Sequence, residues 1–215
     1  MKTLYPGYDV LAKRDSPSWN EQTREVVDAR VATDPERHLF FDRDEWPALK
    51  ALCARIVPQP PDRQSPAPVA ALVDEKLATN SGDGFRHANM PPLREAWRKG
   101  LAALDDEARG LRGAAFAALD AGAQDDLLRR VQAGEVESPA WAAVPAALFF
   151  KARVLPDILA AYYSLPCAWS EIGFGGPASP RGYVRMNYDR RDPWEASEAR
   201  PGREQQARRE NARVG

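Results

Sequence analysis

Histidine and cysteine are scarce in this chain: His38 and His87, Cys53 and Cys167 are all it has in 215 residues. Two thiols exclude a disulfide framework and a thiolate metal site, and two imidazoles do not make up the missing ligands. An excess of one charge is missing too. Thirty Lys and Arg stand against 31 Asp and Glu, a formal net charge of −1, which argues against a surface that neutralises many phosphates and so against nucleic acid as a partner. The longest apolar stretch, AWAAVPAALFF, ends at Lys151 and Arg153, well short of the roughly 20 residues of a bilayer span. The opening MKTLYPGYDVLAKRD has neither an apolar export segment nor a twin arginine, which predicts a cytoplasmic location. No stretch alternates at period two, so strands are not expected.

What is present is helical periodicity. The expectation is an all-α fold, an irregular bundle of about six helices with long Pro/Gly-rich loops and extended termini. It divides into an N-terminal arm (1–38), a helical domain (39–187) and a charged tail (188–215). In the arm, Val26, Val27 and Val31 predict a short helix over Glu21–Val31. Trp46, Leu49, Cys53 and Ile56 form an apolar stripe, with Asp42 or Asp44 available as a cap and Pro58, Pro60 and Pro61 as the stop. Leu72, Val73 and Leu77 mark a second helix within Pro68–Thr79. Leu93, Trp97, Leu101 and Leu104 mark a third, for which Gly110 is the expected end. Asp120 is a good N-cap for a helix through Leu127, Leu128 and Val131 that stops at Gly134. Trp141 to Tyr163 reads as a helix at the centre of the core, started, bent or divided by Pro145 and Pro156. Cys53 falls on an apolar face and reads as a core residue. Cys167 is read as an exposed thiol or, in an oxidising compartment, an attachment point to another subunit.

Catalytic chemistry is thin. Asp83 between two glycines lacks the spaced acidic ligands of a calcium loop. His87 beside Arg86 reads as surface, and the pairs Asp105–Asp106 and Asp125–Asp126 read as solvated helix faces. No nucleophile motif is recognisable. The distinctive segment is EIGFGGPASPRGYVRM from Glu171. Its glycines follow a helix rather than a strand and Ala178 stands at the third glycine position, which argues against a dinucleotide fingerprint. Glycines permitting close backbone approach and prolines fixing φ describe an irregular loop held in one shape, which lowers the entropy cost of docking. Trp169, Phe174, Tyr183, Arg181 and Arg185 are of the types that dominate binding energy at interfaces. These aromatics have two readings: a partner surface, or closure of the chain's own core. The tail likewise reads as disorder, or as an arm that wraps a partner and pins itself by Trp194.

FFDRDEWPALKALCARIVPQ, LVDEKLA, FAALDAGAQDDLLRRVQAG, LFFKARVLPDILAAYYSLPCAW and above all EIGFGGPASPRGY together resemble the gluconate 2-dehydrogenase subunit 3 family, from about Leu39 to Asn187. The resemblance implies a small non-catalytic subunit that accompanies a large flavoprotein dehydrogenase of the glucose-methanol-choline (GMC) type, often with a cytochrome c subunit. FAD and the substrate site then belong to the large partner, and the small subunit assists its folding, maturation or export in a chaperone-like way. Family members commonly carry a twin-arginine signal, which this sequence does not show. Co-export with the partner, to the periplasm or the membrane surface, is the alternative to a cytoplasmic location. On this reading Trp169, Ile172, Phe174, Tyr183 and Trp194 are apolar partner contacts. Gly173, Gly175 and Gly176 allow close approach, and Glu171, Arg181 and Arg185 orient the pair. A free-standing cytoplasmic helical protein-binding module is the competing function.

Overall fold

The computed structural model describes residues 4–61, 63, 65–185 and 190–213; Met186 and Asn187, which end the loop and the helical domain as read from sequence, lie outside these. The fold is all-α: among the described residues the only β pairing is an isolated bridge between Trp19 and Ser179. Two compact units are formed. A central unit is Asp34–Tyr162, and a terminal unit joins Met1–Thr33 with Tyr163–Gly215.

In the central unit, α2 (Trp46–Ile56), α3 (Val69–Ala78), α4 (Leu93–Arg112), α5 (Ala121–Ala133), α6 (Ala146–Phe149) and α7 (Leu155–Tyr163, up to Tyr162 in this unit) follow in order. The face of α4 read from the sequence is the buried one: Trp97, Leu101 and Leu104 are all inside, with Ala96, Ala103 and Ala108. Trp97 meets Phe149 edge to face at 5.5 Å, a pairing that adds about 0.5–1.5 kcal/mol to the area buried. Phe149 reaches this position because Gly100 leaves room; a Cβ there would lie 2.2 Å from its ring. The helix does not end at Gly110. It runs to Arg112 and is closed by Gly113 in the left-handed region at φ 72°, because nothing about Gly110 obliges the chain to leave the helix and its Cβ position is open.

Pro145 and Pro156 act differently. Pro145 precedes α6 and separates it from a 3-10 segment, Pro139–Ala143, so the predicted Trp141–Tyr163 helix starts only at Ala146. Between α6 and α7 the chain stays helical through a π turn, Phe150–Val154, in which the Leu155 N–H donates to the Phe150 carbonyl. Pro156 has no N–H for the preceding turn and its ring crowds that turn, which the wider π turn relieves.

Several carboxylates tie the chain together. Asp42 accepts the Asp44 and Glu45 amides one turn ahead of α2. Asp74 is buried and accepts the amides of Leu39, Phe40 and Phe41. Glu107, also buried, holds the amides of Glu137 and Ser138. Asp105 accepts from the Phe116 amide, Asp106 from the Ser138 hydroxyl, and Asp125 takes a two-pronged pair from Arg55 at 2.7 and 2.8 Å. Asp157 is buried between the Trp97 indole and Lys76, both at 2.7 Å; Lys76 reaches Asp83, which Arg153 also contacts at 2.7 Å. Asp83 is thus an ion-pair hub. Burial opposes a charge on Lys76, but its hydrogen bonds to Asp157 and Asp83 outweigh this and raise its pKa.

The terminal unit holds a 3-10 turn (Val10–Lys13), α1 (Glu21–Val31), α8 (Pro166–Ile172) and α9 (Glu204–Asn211). Asn20 caps α1 by accepting the Thr23 amide at 2.9 Å. Tyr8, Val10, Trp19, Val27 and Trp169 make its apolar core. The tail, whose composition offers little to bury, is held by polar side chains instead. Asn211 donates to the carbonyls of Pro6 and Ser197, the Ala199 amide reaches the Leu4 carbonyl at 2.7 Å, and the Tyr8 hydroxyl donates to the Trp194 carbonyl at 2.8 Å. Burial, with the negative charges of Asp9 and Glu195, pushes the Tyr8 phenol up to about 12.

Candidate functional site

The glycine-rich loop begins as a helix terminator. Pro166 opens α8, where its missing N–H costs nothing. At the other end Gly173 adopts φ 69°, its N–H pointing to the Ser170 carbonyl while the Phe174 N–H reaches the Trp169 carbonyl at 2.9 Å. This is the Schellman arrangement, which brings the residue after the glycine back onto the helix's last turn. Phe174 accordingly meets Trp169 edge to face at 6.1 Å, and Tyr183 follows at 6.2 Å from Phe174. The three rings step outward: Trp169 is 4% exposed, Phe174 40% and Tyr183 70%.

The space that the glycines leave is occupied by the chain itself. A Cβ on Gly173 would lie 2.5 Å from the Tyr5 ring, and one on Gly176 would crowd Trp169 and Val10 at 3.1 and 3.3 Å. Trp169 is held inward by its own indole N–H, which donates to the Tyr163 carbonyl at 2.6 Å. The loop is pinned further along where the Asn20 amide donates to the Ser179 carbonyl at 2.9 Å. Of the residues singled out in the sequence, Trp169 and Gly176 therefore face the core, Gly173 and Gly175 are half-buried, and Glu171, Ile172, Phe174, Tyr183 and Arg185 are exposed. Trp194 is half-buried with the Arg181 guanidinium 4.7 Å over its ring.

Phe174, Tyr183 and Trp194 also line a cavity of about 340 Å3 within the terminal unit. Its charges are largely matched. Arg181 is paired with buried Asp192 at 3.3 Å and donates to the Ser18 hydroxyl, and Arg185 makes a two-pronged pair with Glu195 at 2.8 Å. The Glu195 carboxyl is held below its ordinary range, first by the Arg185 hydrogen bond. Lys13 is different: it lines the cavity, is 2% exposed, and its ammonium makes no hydrogen bond or ion pair among the described residues, standing 5.8 Å over the Trp19 ring. Burial, reinforced by Arg181, lowers its pKa to about 8.

Sequence reading passed over Lys13. The signal was the 3-10 turn: residues three apart eclipse there, so Lys13 shares a side with the fully buried Val10. A larger depression of about 430 Å3 nearby has Arg191 and Glu195 in its wall at 3.7 Å from each other. Cys53 is buried and its thiol is pushed up by desolvation, whereas Cys167 is half-buried; both are free. Among the described residues no three His, Cys, Asp or Glu side chains cluster as metal ligands, and no helix is long and apolar enough to cross a membrane.

A family model described as gluconate 2-dehydrogenase subunit 3 matches residues 43–176, more than half of the chain. That span takes in most of the central unit, α8 and the start of the glycine loop; Lys13, Tyr183 and Trp194 lie outside it. No curated protein and no solved structure matches.

Proposed function

The chain belongs to the gluconate 2-dehydrogenase subunit 3 family, and from that premise we propose that it is a non-catalytic accessory subunit of an oxidoreductase complex. Its large partner is a GMC-type flavoprotein that binds FAD and oxidises a sugar, sugar acid or alcohol, with a cytochrome c subunit as a further member. The small chain supports the folding or maturation of that partner, and its compartment is the partner's.

The observation that carries this reading is the ring series from Trp169 through Phe174 to Tyr183. A loop fixed to the core at its inner end presents Phe174 and Tyr183 outward, beside Val184 at 78% exposure. Rigid aromatics anchored from behind lose little freedom on docking, and Tyr is enriched among residues that dominate interfaces. The Arg185–Glu195 pair lies at the edge of the same face and supplies charge to orient a partner.

Co-expression tests the reading. The flavoprotein made with this chain should carry more flavin and stay more soluble than without it, and Tyr183→Ala should weaken the complex by roughly 2 kcal/mol with the helical content intact. A flavoprotein indifferent to the presence of the chain would overturn it.

A further inference from the structure

We propose that the cavity in front of Lys13 binds a small organic monocarboxylate, its carboxylate paired with the Lys13 ammonium and its apolar body against Phe174, Tyr183 and Trp194. The site stands whether or not the flavoprotein reading does.

A buried ammonium without a partner is strongly disfavoured, and chains usually avoid it by pairing or by substituting an apolar side chain. Here Lys13 is buried on the same side as Val10, yet the carboxylates of the cavity wall, Asp192 and Glu195, are engaged with Arg181 and Arg185. Among the described residues of the wall, Lys13 adds one positive charge that is not balanced, and it faces a space large enough for a ligand. Gly175, whose Cβ position is 3.6 Å from the ammonium, leaves the approach open.

The charge ledger also selects the ligand. One unmatched cation suits a monoanion; a dianion would place its second charge beside Asp192 and Glu195. Aromatic walls favour a carboxylate on a flat or apolar body over a heavily hydrated one. Arg181, the cation closest in effect to Lys13, further attracts an anion while keeping Lys13 easy to deprotonate. Because a bound carboxylate requires the charged ammonium, affinity should fall as the pH climbs past about 8. Arg181, Arg185, Asp192 and Glu195 are the other charged groups of the wall among the described residues.

Calorimetric titration of the full chain with sodium benzoate tests this, with benzyl alcohol and inorganic phosphate as comparison probes. Benzoate should bind saturably at pH 7, at least tenfold more tightly than either comparison probe, and at least tenfold more weakly at pH 9.5. Lys13→Met, which is one atom shorter, stays unbranched and removes the charge, should abolish benzoate binding. Its fold is checked by helical content, and the pH series on the unaltered chain reads the same ammonium should the variant misfold. Absence of saturable benzoate binding, equal binding of benzyl alcohol or phosphate, an affinity constant from pH 7 to 9.5, or full binding by a folded Lys13→Met chain would each overturn the assignment.

Discussion

The ring of Phe174 stands edge-on to the indole of Trp169, 6.1 Å away and at 90°, because Gly173 between α8 and the loop turns the chain back on itself. One glycine thus does two things: it ends a helix, and it sets the first outward step of an aromatic series.

Gly173→Ala should disturb both. The left-handed conformation costs an alanine about 1–2 kcal/mol, and the added methyl would meet the Tyr5 ring at 2.5 Å. Denaturant titration should show a loss of at least that size, with the near-ultraviolet signal of the aromatics reduced. An unaltered titration would mean that the loop does not depend on this turn.

Two glycines of α4 should respond with opposite sign. Gly100→Ala puts a methyl into the Phe149 ring at 2.2 Å and should destabilise by about 1–3 kcal/mol, the usual cost of overpacking. Gly110→Ala meets nothing within 4 Å in the helical interior and should stabilise by roughly 0.5–1 kcal/mol. Equal responses in thermal unfolding would contradict the packing described.

Asp74 should be among the least replaceable residues of the central unit. It accepts three consecutive backbone amides, those of Leu39, Phe40 and Phe41. Asp74→Ala leaves these donors without their acceptor, at about 1–3 kcal/mol for each one that stays buried. Asp74→Asn retains an acceptor oxygen and should lose distinctly less. Urea unfolding of the two variants distinguishes a hydrogen-bonding role from simple volume.

Acid and alkali should act through different residues. A hydrogen bond from Lys76, and a further one from Arg153, hold the Asp83 carboxyl below its ordinary 3.8 against the opposing effect of burial. Its contribution is therefore present at neutral pH and is lost as the pH falls below that value through the folded pKa. Asp83→Asn should flatten the acid limb of the stability curve.

Lys13 acts at the alkaline end, where its charged form is the destabilising one. Its pKa is lowered from 10.5 to about 8 by burial and then by Arg181, so between those values the unfolded chain holds a proton that the folded chain has released. Stability gains from this residue as pH rises through that window, and below it the full penalty of burying the charge applies. Lys13→Met should unfold at a higher temperature than the parent at pH 7, with the gap closing towards pH 10. A gap that does not change with pH would remove the ammonium from the account.

The helices were legible from sequence because their signals are local. Trp97, Leu101 and Leu104 recur at helical spacing and are the buried face of α4. Asp120 and Gly134 cap α5 where their chemistry predicts. The all-α class and the family resemblance rest on such short-range patterns. Gly110 misled because sequence shows that a glycine can end a helix, not that this one must; the end came three residues later, at Gly113.

Tertiary structure decided what depends on residues far apart in the chain. Whether an aromatic of the loop faces inward was settled for Trp169 by its packing with Tyr8, Val10 and Trp19, and for Tyr183 by the absence of such cover. Asp83 became an ion-pair hub through Arg153, 70 positions away. The tail was held by Asn211 reaching Pro6 across 205 positions. Lys13 acquired its burial and its neighbour Arg181 in the same way. Periodicity records which side of a helix is apolar; which distant groups share one dielectric environment is set only when the chain closes on itself.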